Sequence, residues 1–518
     1  MIATPLVGNF KTILGERMTH FSPWIDGSIV GLYLLITMAA GIFVRKYVGR
    51  VEDFLVAGRE MDVFLGIASL AATEFGIVTC MYTAEAGYKY GFSGATPGLC
   101  QAAAMLIIGL TGFCIKPLRD SGVLTIPELF ERRFGPRVRW AAGLVIVLGG
   151  LLNMGVFLRI GGEFLVLVCG LGGDTLSLEW MMTILLVMVA VYTILGGMLS
   201  VLVTDFLQFV VMSIGLIAVT ILILVNVGWD KLAATVAANH GPGGFNPFVH
   251  PELGWSYVTF QLLVTTAATL TWQTSIARVL ASKDTATGQK VYSRTSFFFV
   301  CRFLIPGLWG IAALAFFAGN GPANALHAMP QYLAQFVPVG LMGLLIAAML
   351  AADMSTDSSY MLTWASVIYN DLLAPWHRGC WSNKTGLRCI RLIVAAIGVF
   401  LLMYGLWYPM QGNVWDYLAV TGTIYLASIS TLLISCCYWR AANDWGAIAA
   451  IVTGAVIPTS FLVLQQFAAT QEFTKSIGPY YSGIAAYVAA AVAMVAGSLL
   501  KNAIRPSAPS RPLTEVSA

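Results

Sequence analysis

The chain has 518 residues, of which 58% are hydrophobic and only 10% carry a charge, and its mean hydropathy is +0.79. Soluble domains carry about 25% charged residues, so this composition excludes a soluble protein and indicates one that crosses a membrane many times. The net charge of +4 comes from basic residues scattered through short loops, a pattern that does not indicate a nucleic-acid partner.

Hydrophobic stretches of about 20 residues, each long enough to cross a bilayer, recur along the chain and predict about 13 transmembrane helices. A polar segment, residues 1–26, precedes a first helix over residues 27–46. The following helices fall into two groups, residues 63–226 and 256–438, and a last pair lies within residues 444–500. A longer loop joins the two groups, and residues 501–518 form a polar tail. We therefore expect an all-α membrane protein.

Most of the 29 Lys and Arg residues fall in every second loop between these helices. Arg119, Arg278 and Arg391 are among the residues that we assign to these loops. Basic residues are concentrated in the cytoplasmic loops of membrane proteins. We therefore expect residues 1–26 to be extracellular, residues 501–518 to be cytoplasmic and the chain to lie in the plasma (inner) membrane. A short helix that mixes charged and apolar residues is predicted at the inner surface over residues 125–136.

Two of the predicted helices are interrupted near their middles. The second contains Glu74 and Gly76 after a run of small residues, and the seventh contains a Thr-rich stretch that ends at Trp272 and Gln273. Interrupted helices in corresponding halves of a membrane protein are typical of transporters built from inverted repeats, with the binding site at mid-membrane. Unwound backbone at such breaks exposes carbonyl groups to a cation and amide groups to a polar solute.

The ninth predicted helix carries a dense group of hydroxyl side chains. At 100° per residue, Ala352, Ser355, Thr356 and Ser359 fall on one face, with Ser358 at its edge. Hydroxyl and carbonyl oxygens are the ligands that a small hard cation prefers, so this face is a candidate cation site. The alternative is that the hydroxyls only form hydrogen bonds between packed helices.

Asp205 lies ~9 Å past the inner end of the sixth helix, at a depth close to that of Ser358 and Ser359 in the ninth. The three side chains therefore have the depth for one shared site in the inner half of the membrane. Alternatively, Asp205 caps the start of its helix.

Two further carboxylates, Asp353 and Asp357, lie one turn apart on a different face of the ninth helix. We expect them to line a water-filled inner vestibule, with Arg302 of the eighth helix as a candidate counter-charge. Because two carboxylates this close raise each other's proton affinity, the alternative is a proton or a third cation bound between them.

Five motifs occur in an order that resembles the sodium/solute symporter family. Within that family, the motifs are most similar in form to those of the proline, choline and sialic acid carriers. The motifs are Ala57-Gly-Arg-Glu60, the segment 125–135, Tyr192-Thr-Ile-Leu-Gly-Gly197 with Thr204, Asp205 and Gln208, Ala277-Arg-Val-Leu-Ala281, and Ala352-Asp-Met-Ser-Thr-Asp-Ser-Ser359. The resemblance implies a LeuT-like fold, in which two inverted repeats of five helices form a core, with one helix before the core and two after it.

The resemblance also implies where sodium binds. One ion is expected at three backbone carbonyls and two hydroxyls, those of Ala72, Phe75, Ala352, Ser355 and Thr356. Some family members hold a second sodium ion closer to the cytoplasm, and the matching side chains here are those of Asp205, Ser355, Ser358 and Ser359. The expected cofactor is therefore Na+, as one ion or two.

The substrate positions that the resemblance assigns are Glu74, Thr79, Gly98, Trp272 and Gln273. Galactose carriers have a glutamine and a glutamate where this chain has Thr79 and Gly98, which argues against a sugar. Glu74 matches an acidic residue needed for sodium transport in the proline carrier, and Trp272-Gln273 matches a pair in the choline carrier. We therefore prefer an amino acid or another amine-bearing solute. Glu74 serving sodium, and Trp272 serving packing, are the alternatives.

The five histidines show no metal-ligand spacing, and the chain contains no phosphate-binding G-x-x-x-x-G-K-[ST] motif. We therefore expect neither an enzyme nor an ATP-driven pump, but a sodium-coupled symporter that imports a small organic solute by alternating access. A symporter of monocarboxylates, pantothenate-like acids or sugars, and a transporter-like sensor, are the alternatives. The expected partners are the solute, sodium and the lipid bilayer, with no nucleic acid, and the functional unit is expected to be a monomer.

Overall fold

The computed structural model describes residues 19–44, 46, 50–171, 175–377, 382–408 and 413–505. Within these ranges the regular secondary structure is helical, apart from one isolated bridge between Met61 and Ser282. Residues 1–18 of the predicted N-terminal segment and residues 506–518 of the predicted tail lie outside the described ranges.

One apolar helix, α1 (Ile25–Val44), precedes the first group of helices. That group consists of α2 (Val51–Val56), α3 (Val63–Thr73), α4 (Ile77–Tyr90), α5 (Thr96–Thr111), α6 (Ile115–Asp120), α7 (Ile126–Phe134), α8 (Pro136–Met154), α9 (Phe157–Cys169) and α10 (Thr175–Asn226). The predicted inner-surface helix corresponds to α7, which begins at an N-cap where the Thr125 hydroxyl accepts a hydrogen bond from the Glu128 backbone N–H.

The connection between the two groups is partly helical, because α11 (Trp229–His240) and a short 3₁₀ turn (Gly241–Gly244) lie where the sequence predicts a loop. The second group consists of α12 (Gly254–Thr271), α13 (Gln273–Ala281), α14 (Thr285–Phe317), α15 (Ala328–Phe336), α16 (Leu341–Val367), α17 (Asn383–Trp407) and α18 (Val414–Tyr438). The last two helices are α19 (Asp444–Leu464) and α20 (Gln471–Ile504).

Both predicted interruptions are present as breaks in the backbone. The helical run of α3 and α4 stops at Glu74, Phe75 and Gly76, and Gly76 adopts an extended conformation with ψ 173°. Between α12 and α13, Trp272 is extended with ψ 118°. An extended residue ends the regular hydrogen bonding of an α-helix and leaves backbone groups without helical partners, so each break frees polar backbone near the middle of its pair.

Burial separates core helices from peripheral ones. In the most apolar part of α16, and likewise of α18, 89% of the residues are buried, whereas the values are 22% for α1 and 33% for α19. Apolar residues that remain exposed on the peripheral helices are suited to contact lipid. The hydroxyl-bearing α16 therefore lies at the centre of the protein, and it ends in a π-helical turn, Ile368–Leu373.

Among the described residues, ten helical segments are long and apolar enough to cross a membrane. Helices that meet at a short break, such as α4 with α5 and α8 with α9, are merged within these segments. The expectation of about 13 transmembrane helices therefore stays a prediction.

Candidate functional site

A cavity of about 660 Å³ lies where the two broken helix pairs face each other. Residues of the α3–α4 break, of α12 up to Trp272, of α14, of α16 and of α18 line it. Polar groups in its wall include the side chains of Glu74, Gln101, Asn153 and Arg302. A largely apolar cavity with a few converging polar groups is the usual form of a small-molecule site.

The hydroxyl face of α16 packs against the α3–α4 break. The Thr356 hydroxyl donates a hydrogen bond of 2.9 Å to the Thr73 carbonyl, at the last residue of α3. A methyl group on Gly76 would lie 2.9 Å from the Thr356 hydroxyl oxygen, so only glycine permits this approach. The two elements to which the sequence assigns the first sodium ion are therefore in direct contact.

The residues assigned to the first sodium ion are all buried. Ala72, Ala352 and Ser355 have no measurable exposure, and Phe75 and Thr356 are 1% and 3% exposed. The set offers carbonyl and hydroxyl oxygens and no basic side chain, which is the donor chemistry that Na+ requires. These residues fit a sodium ion.

The Asp205 carboxylate is fully buried and lies eight residues past the kink that divides α10 at Gly197 (φ 55°, ψ −149°), so it caps the start of neither half of that helix. It accepts hydrogen bonds of 2.5 Å from the Ser69 hydroxyl and 2.6 Å from the Ser355 hydroxyl. It also forms an ion pair of 3.1 Å with the guanidinium of Arg278. Asp205 thereby connects α10 to α3, α13 and α16.

Arg278, which the sequence analysis assigns to an inner loop, is fully buried near the end of α13. Its Nη2 donates to the Thr73 hydroxyl at 2.5 Å, the Ser359 hydroxyl at 2.6 Å and Asp205 at 3.1 Å. The inner-loop assignment is wrong because α13 continues the broken helix into the protein core. A cationic group thus lies among side chains that the sequence assigns to a second sodium ion.

Ser355 and Ser359 of that second set lie at this position as well. Ser355 contacts Asp205 directly, whereas the Ser358 hydroxyl donates to the Ser355 backbone carbonyl at 3.2 Å. The set contains a carboxylate and three hydroxyls and so fits a cation chemically. A second sodium ion there has to compete with the Arg278 guanidinium for Asp205.

Glu74 lies in the α3–α4 break with its carboxylate on the cavity wall. Its Oε1 accepts hydrogen bonds of 2.9 Å from the hydroxyls of Thr274 and Ser275, at the start of α13. Its Oε2 lies 3.6 Å from the guanidinium of Arg302 on α14. Glu74 therefore joins the two helix breaks, and sequence reasoning missed its three partners because none of them is near it in the chain.

Of the other predicted substrate residues, two line the cavity and two lie outside its wall. Thr79 and Trp272 line the cavity with Glu74. Gly98 instead packs against α14, where a methyl group would lie 2.7 Å from the Phe299 carbonyl oxygen. Gln273 lines a separate cavity of about 360 Å³ and donates to the Thr271 carbonyl at 3.3 Å.

Trp272 belongs to a cluster of aromatic rings on the cavity wall. Its indole N–H donates to the Tyr360 hydroxyl at 3.0 Å, and its ring stacks on that of Tyr425 with a centroid distance of 5.8 Å. The Trp364 ring packs edge-on against it at 6.2 Å. The tryptophan therefore has a fixed orientation and presents aromatic surface to the cavity.

Asp353 and Asp357 are each 1% exposed, so neither lines a water-filled vestibule in this structure. Asp353 Oδ2 and both carboxylate oxygens of Asp357 have no hydrogen-bond partner, and Gly161 of α9 faces the Asp353 carboxylate. Arg302 lies beside Glu74 instead of beside this pair. The predicted vestibule and counter-charge are both wrong for this conformation.

Aromatic side chains separate the cavity from a second one of about 370 Å³, which lies toward the C-terminal end of α4 and the N-terminal end of α18. Tyr82 and Trp415 line both cavities, with ring centroids 5.1 Å apart, and Phe303 packs on each of them. This layer closes one side of the central cavity.

Ion pairs connect helices on the side of the central cavity opposite to the aromatic layer. Arg139 of α8 contacts the Asp371 carboxylate at 2.9 Å and the Glu131 carboxylate of α7 at 2.5 Å. The Thr125 hydroxyl at the start of α7 also donates to Asp371, at 2.8 Å. Because Asp371 lies in the π-helical turn that ends α16, these contacts tie α7 and α8 to the central helix.

Comparisons with known proteins agree with this arrangement. A sequence model described as the sodium:solute symporter family matches residues 54–454. The sodium/glucose cotransporter 4 of Danio rerio is 26% identical in an alignment of 486 residues that covers 85% of this chain and 72% of that protein. The sodium/myo-inositol cotransporter of Mus musculus is 26% identical in an alignment of 497 residues that covers 85% of this chain and 67% of that protein.

A solved structure of a Na+-coupled sialic acid symporter, in a substrate-bound outward-open state, matches 94% of this chain and 98% of that chain. The TM-score is 0.78 at 18% sequence identity. At this identity the likeness establishes the fold, which is LeuT-like, as the two broken helix pairs and the central α16 lead one to expect.

Proposed function

This chain belongs to the sodium:solute symporter family, and we propose that it imports a small organic solute together with sodium by alternating access. One observation carries the proposal. The break between α3 and α4, the hydroxyl face of α16 and the wall of the central cavity meet at Thr356, which donates to the Thr73 carbonyl and also lines the cavity. A cation bound at this contact and a solute in the cavity therefore share structural elements.

We assign the first sodium ion to the carbonyls of Ala72, Phe75 and Ala352 and the hydroxyls of Ser355 and Thr356. Bound there, the ion supplies a positive charge that ties the broken helix to α16. Coupling requires that sodium and solute favour the same conformation, in which case each raises the affinity for the other by the same factor. The entry of each sodium ion releases ~2.3 kcal/mol of free energy per 100 mV of membrane potential, and this free energy drives uphill import of the solute.

A second sodium ion is assigned to Asp205, Ser355, Ser358 and Ser359. The support is the set of oxygen donors, because the Asp205 carboxylate and the Ser355 hydroxyl are in direct contact. The Arg278 guanidinium lies between Asp205 and Ser359 and so occupies part of the same position. Sodium binds here in competition with that guanidinium, so this second ion is expected to bind more weakly than the first.

For the solute we prefer an amino acid or another amine-bearing compound. The Glu74 carboxylate lines the cavity, and the aromatic faces of Trp272 and Tyr360 lie in the same wall. A carboxylate attracts an ammonium group by charge, and a cation over an aromatic face gains a further ~0.5–2 kcal/mol. These groups are suited to a cationic nitrogen.

A sugar or polyol is the second candidate, because the relatives reported above are named for glucose and myo-inositol. Gln101 and Asn153 supply the cavity with amide groups that hydrogen-bond hydroxyls. Galactose carriers have a glutamine and a glutamate where this chain has Thr79 and Gly98. This difference argues against a sugar as the solute.

In the proposed orientation the N-terminus is outside and the C-terminus is in the cytoplasm of the cell, with the protein in the plasma (inner) membrane as a functional monomer. The layer of Tyr82, Phe303 and Trp415 then faces the outside. The ion pairs of Arg139 with Asp371 and Glu131 face the inside. The two sides of the cavity would have to open in turn during transport.

The test is uptake into proteoliposomes under an inward sodium gradient, with pools of labelled amino acids, amines, hexoses and inositols. We expect accumulation that requires sodium and that Ser355→Ala abolishes, while Asp205→Asn lowers the sodium Hill coefficient from near two toward one. The control is Thr453→Ala on α19, because that hydroxyl bonds only carbonyls of its own helix. Accumulation that ignores sodium, or that Ser355→Ala leaves intact, would contradict the proposal.

A further inference from the structure

Arg302 is a membrane-buried arginine whose environment differs from that of the other buried arginine at the centre of the protein. It is 9% exposed, and it lines the central cavity from α14. A charged side chain at membrane depth is costly and is retained where it serves a function. The rings of Phe299 and Phe303, each 5.6 Å from its guanidinium carbon, hold the charged group in place.

The hydrogen bonds of Arg302 leave much of its donor capacity unused. Nη2 donates to the Tyr82 hydroxyl at 3.1 Å and to the Thr79 hydroxyl at 3.4 Å, and Nη1 donates to Gln101 at 3.4 Å. Nε has no partner at all. A guanidinium that is paired with a carboxylate forms bonds of about 2.7–2.9 Å, so this one lacks a close anion.

Glu74 is not a close anion for Arg302. Its Oε1 is engaged by two hydroxyls at 2.9 Å, and its Oε2 remains 3.6 Å from Arg302. By contrast, Arg278 forms an ion pair of 3.1 Å with Asp205 and two hydroxyl bonds of 2.5 and 2.6 Å. The cavity thus presents a positive and a negative group side by side, 3.6 Å apart, and this ion pair is longer than the 3.1 Å pair of Arg278 with Asp205.

We propose that Arg302 binds a carboxylate of the transported solute while Glu74 faces an adjacent ammonium group, so that the substrate is a zwitterion of the α-amino acid type. The inference rests on the proposed function and narrows it. In an α-amino acid one carbon joins the two charged groups, which matches two protein charges that are neighbours. Glu74 and Arg302 together carry no net charge, so a solute with one charge would add an unbalanced charge to a buried site, which is unfavourable.

The rest of the cavity selects the side chain of that substrate. Val264, Ala268, Leu418 and Leu426 contribute an apolar wall, and further charged side chains are absent from the described lining residues. Burial of an apolar side chain against such a wall favours binding. The expected substrate is therefore an amino acid with an apolar side chain.

The test compares four ligands of one shape on the purified full chain in sodium chloride, by calorimetry or thermal shift. They are L-leucine, leucinamide without the carboxylate, isocaproate without the ammonium group, and isoamylamine; glucose and myo-inositol are added for the polyol candidate. We expect L-leucine to bind at least tenfold more tightly than any of the others.

In Arg302→Gln, the affinity for L-leucine should fall roughly 30-fold or more, while leucinamide binding should change little. Arg302→Lys should restore part of the loss. Arg294→Gln, at an exposed position of the same helix, is the matched control and should bind as wild type does. A sodium-induced change in tryptophan fluorescence that each variant retains will report that the variant is folded.

Equal binding of leucinamide and L-leucine, or binding of only glucose or myo-inositol, would overturn the inference. Sodium-driven accumulation of a polyol would do so while leaving the proposed function intact. Absence of sodium-driven accumulation for every pool would instead contradict the proposed function itself, so the two failures are distinguishable.

Discussion

Arg278 donates hydrogen bonds to side chains of three other helices, because Ser69 and Thr73 lie on α3, Asp205 on α10 and Ser359 on α16. Removing one partner of a buried ion pair leaves an uncompensated charge and costs about 3–5 kcal/mol. We therefore expect Arg278→Gln and Asp205→Asn each to lower the thermal unfolding temperature in detergent by several degrees.

The double variant Asp205→Asn/Arg278→Gln removes both charges together, so it should be less destabilised than the sum of the two single variants. Thermal unfolding of the four proteins in sodium-free buffer measures this coupling. Additive losses would show that the ion pair contributes nothing beyond the packing of each side chain.

At the scale of helices, the contact between the α3–α4 break and α16 depends on Gly76. A methyl group there would lie 2.9 Å from the hydroxyl oxygen and 3.2 Å from the Cβ atom of Thr356, so Gly76→Ala should push α16 away from the break. Overpacking of this kind typically costs ~1–3 kcal/mol, and we expect sodium affinity to fall roughly tenfold.

Sodium titration followed by tryptophan fluorescence, with potassium as the ionic-strength control, measures that change. Gly31→Ala on α1 is the matched variant, because nothing lies within 4 Å of the methyl group it adds. Unchanged sodium affinity in Gly76→Ala would place the ion elsewhere than at this break.

The breaks and the hydroxyl face were predictable at this scale because both are local patterns. Glu74 and Gly76 interrupt an apolar stretch within one segment, and the hydroxyls of α16 recur at helical spacing. Glu74 and Trp272, at the two breaks, line the cavity, as does Thr79, which was assigned by alignment with the family. That these residues bind substrate stays a prediction. Gly98 was assigned by alignment with the family alone, and it packs between helices instead.

Arg278 was not predictable as a site residue, and Arg302 was predicted beside the wrong carboxylates, because it pairs with Glu74 instead of Asp353 and Asp357. Arg278 is 73 positions from Asp205 in the chain, and Glu74 is 200 positions from Thr274. Such contacts depend on how whole helices pack, which no local pattern reports. The positive-inside rule moreover treats each arginine near a helix end as a loop residue, and that assumption misplaced Arg278.

On the scale of the whole molecule, two closures flank one cavity. The rings of Tyr82, Phe303 and Trp415 close it toward the start of α18, and the contacts of Arg139 with Asp371 and Glu131 join the helices on the opposite side. A transporter that works by alternating access has to open one closure at a time. The sodium site that we propose lies between them, at the contact of the broken helix with α16.

Solute-stimulated entry of radioactive sodium into proteoliposomes tests the central claim, that sodium and solute are transported together through this site. With the solute identified in the uptake pools present outside, wild-type protein should admit sodium in fixed proportion to the solute, and Ser355→Ala should admit neither above background. Solute entry without accompanying sodium entry in the wild type, or an equal sodium flux in Ser355→Ala, would contradict the account.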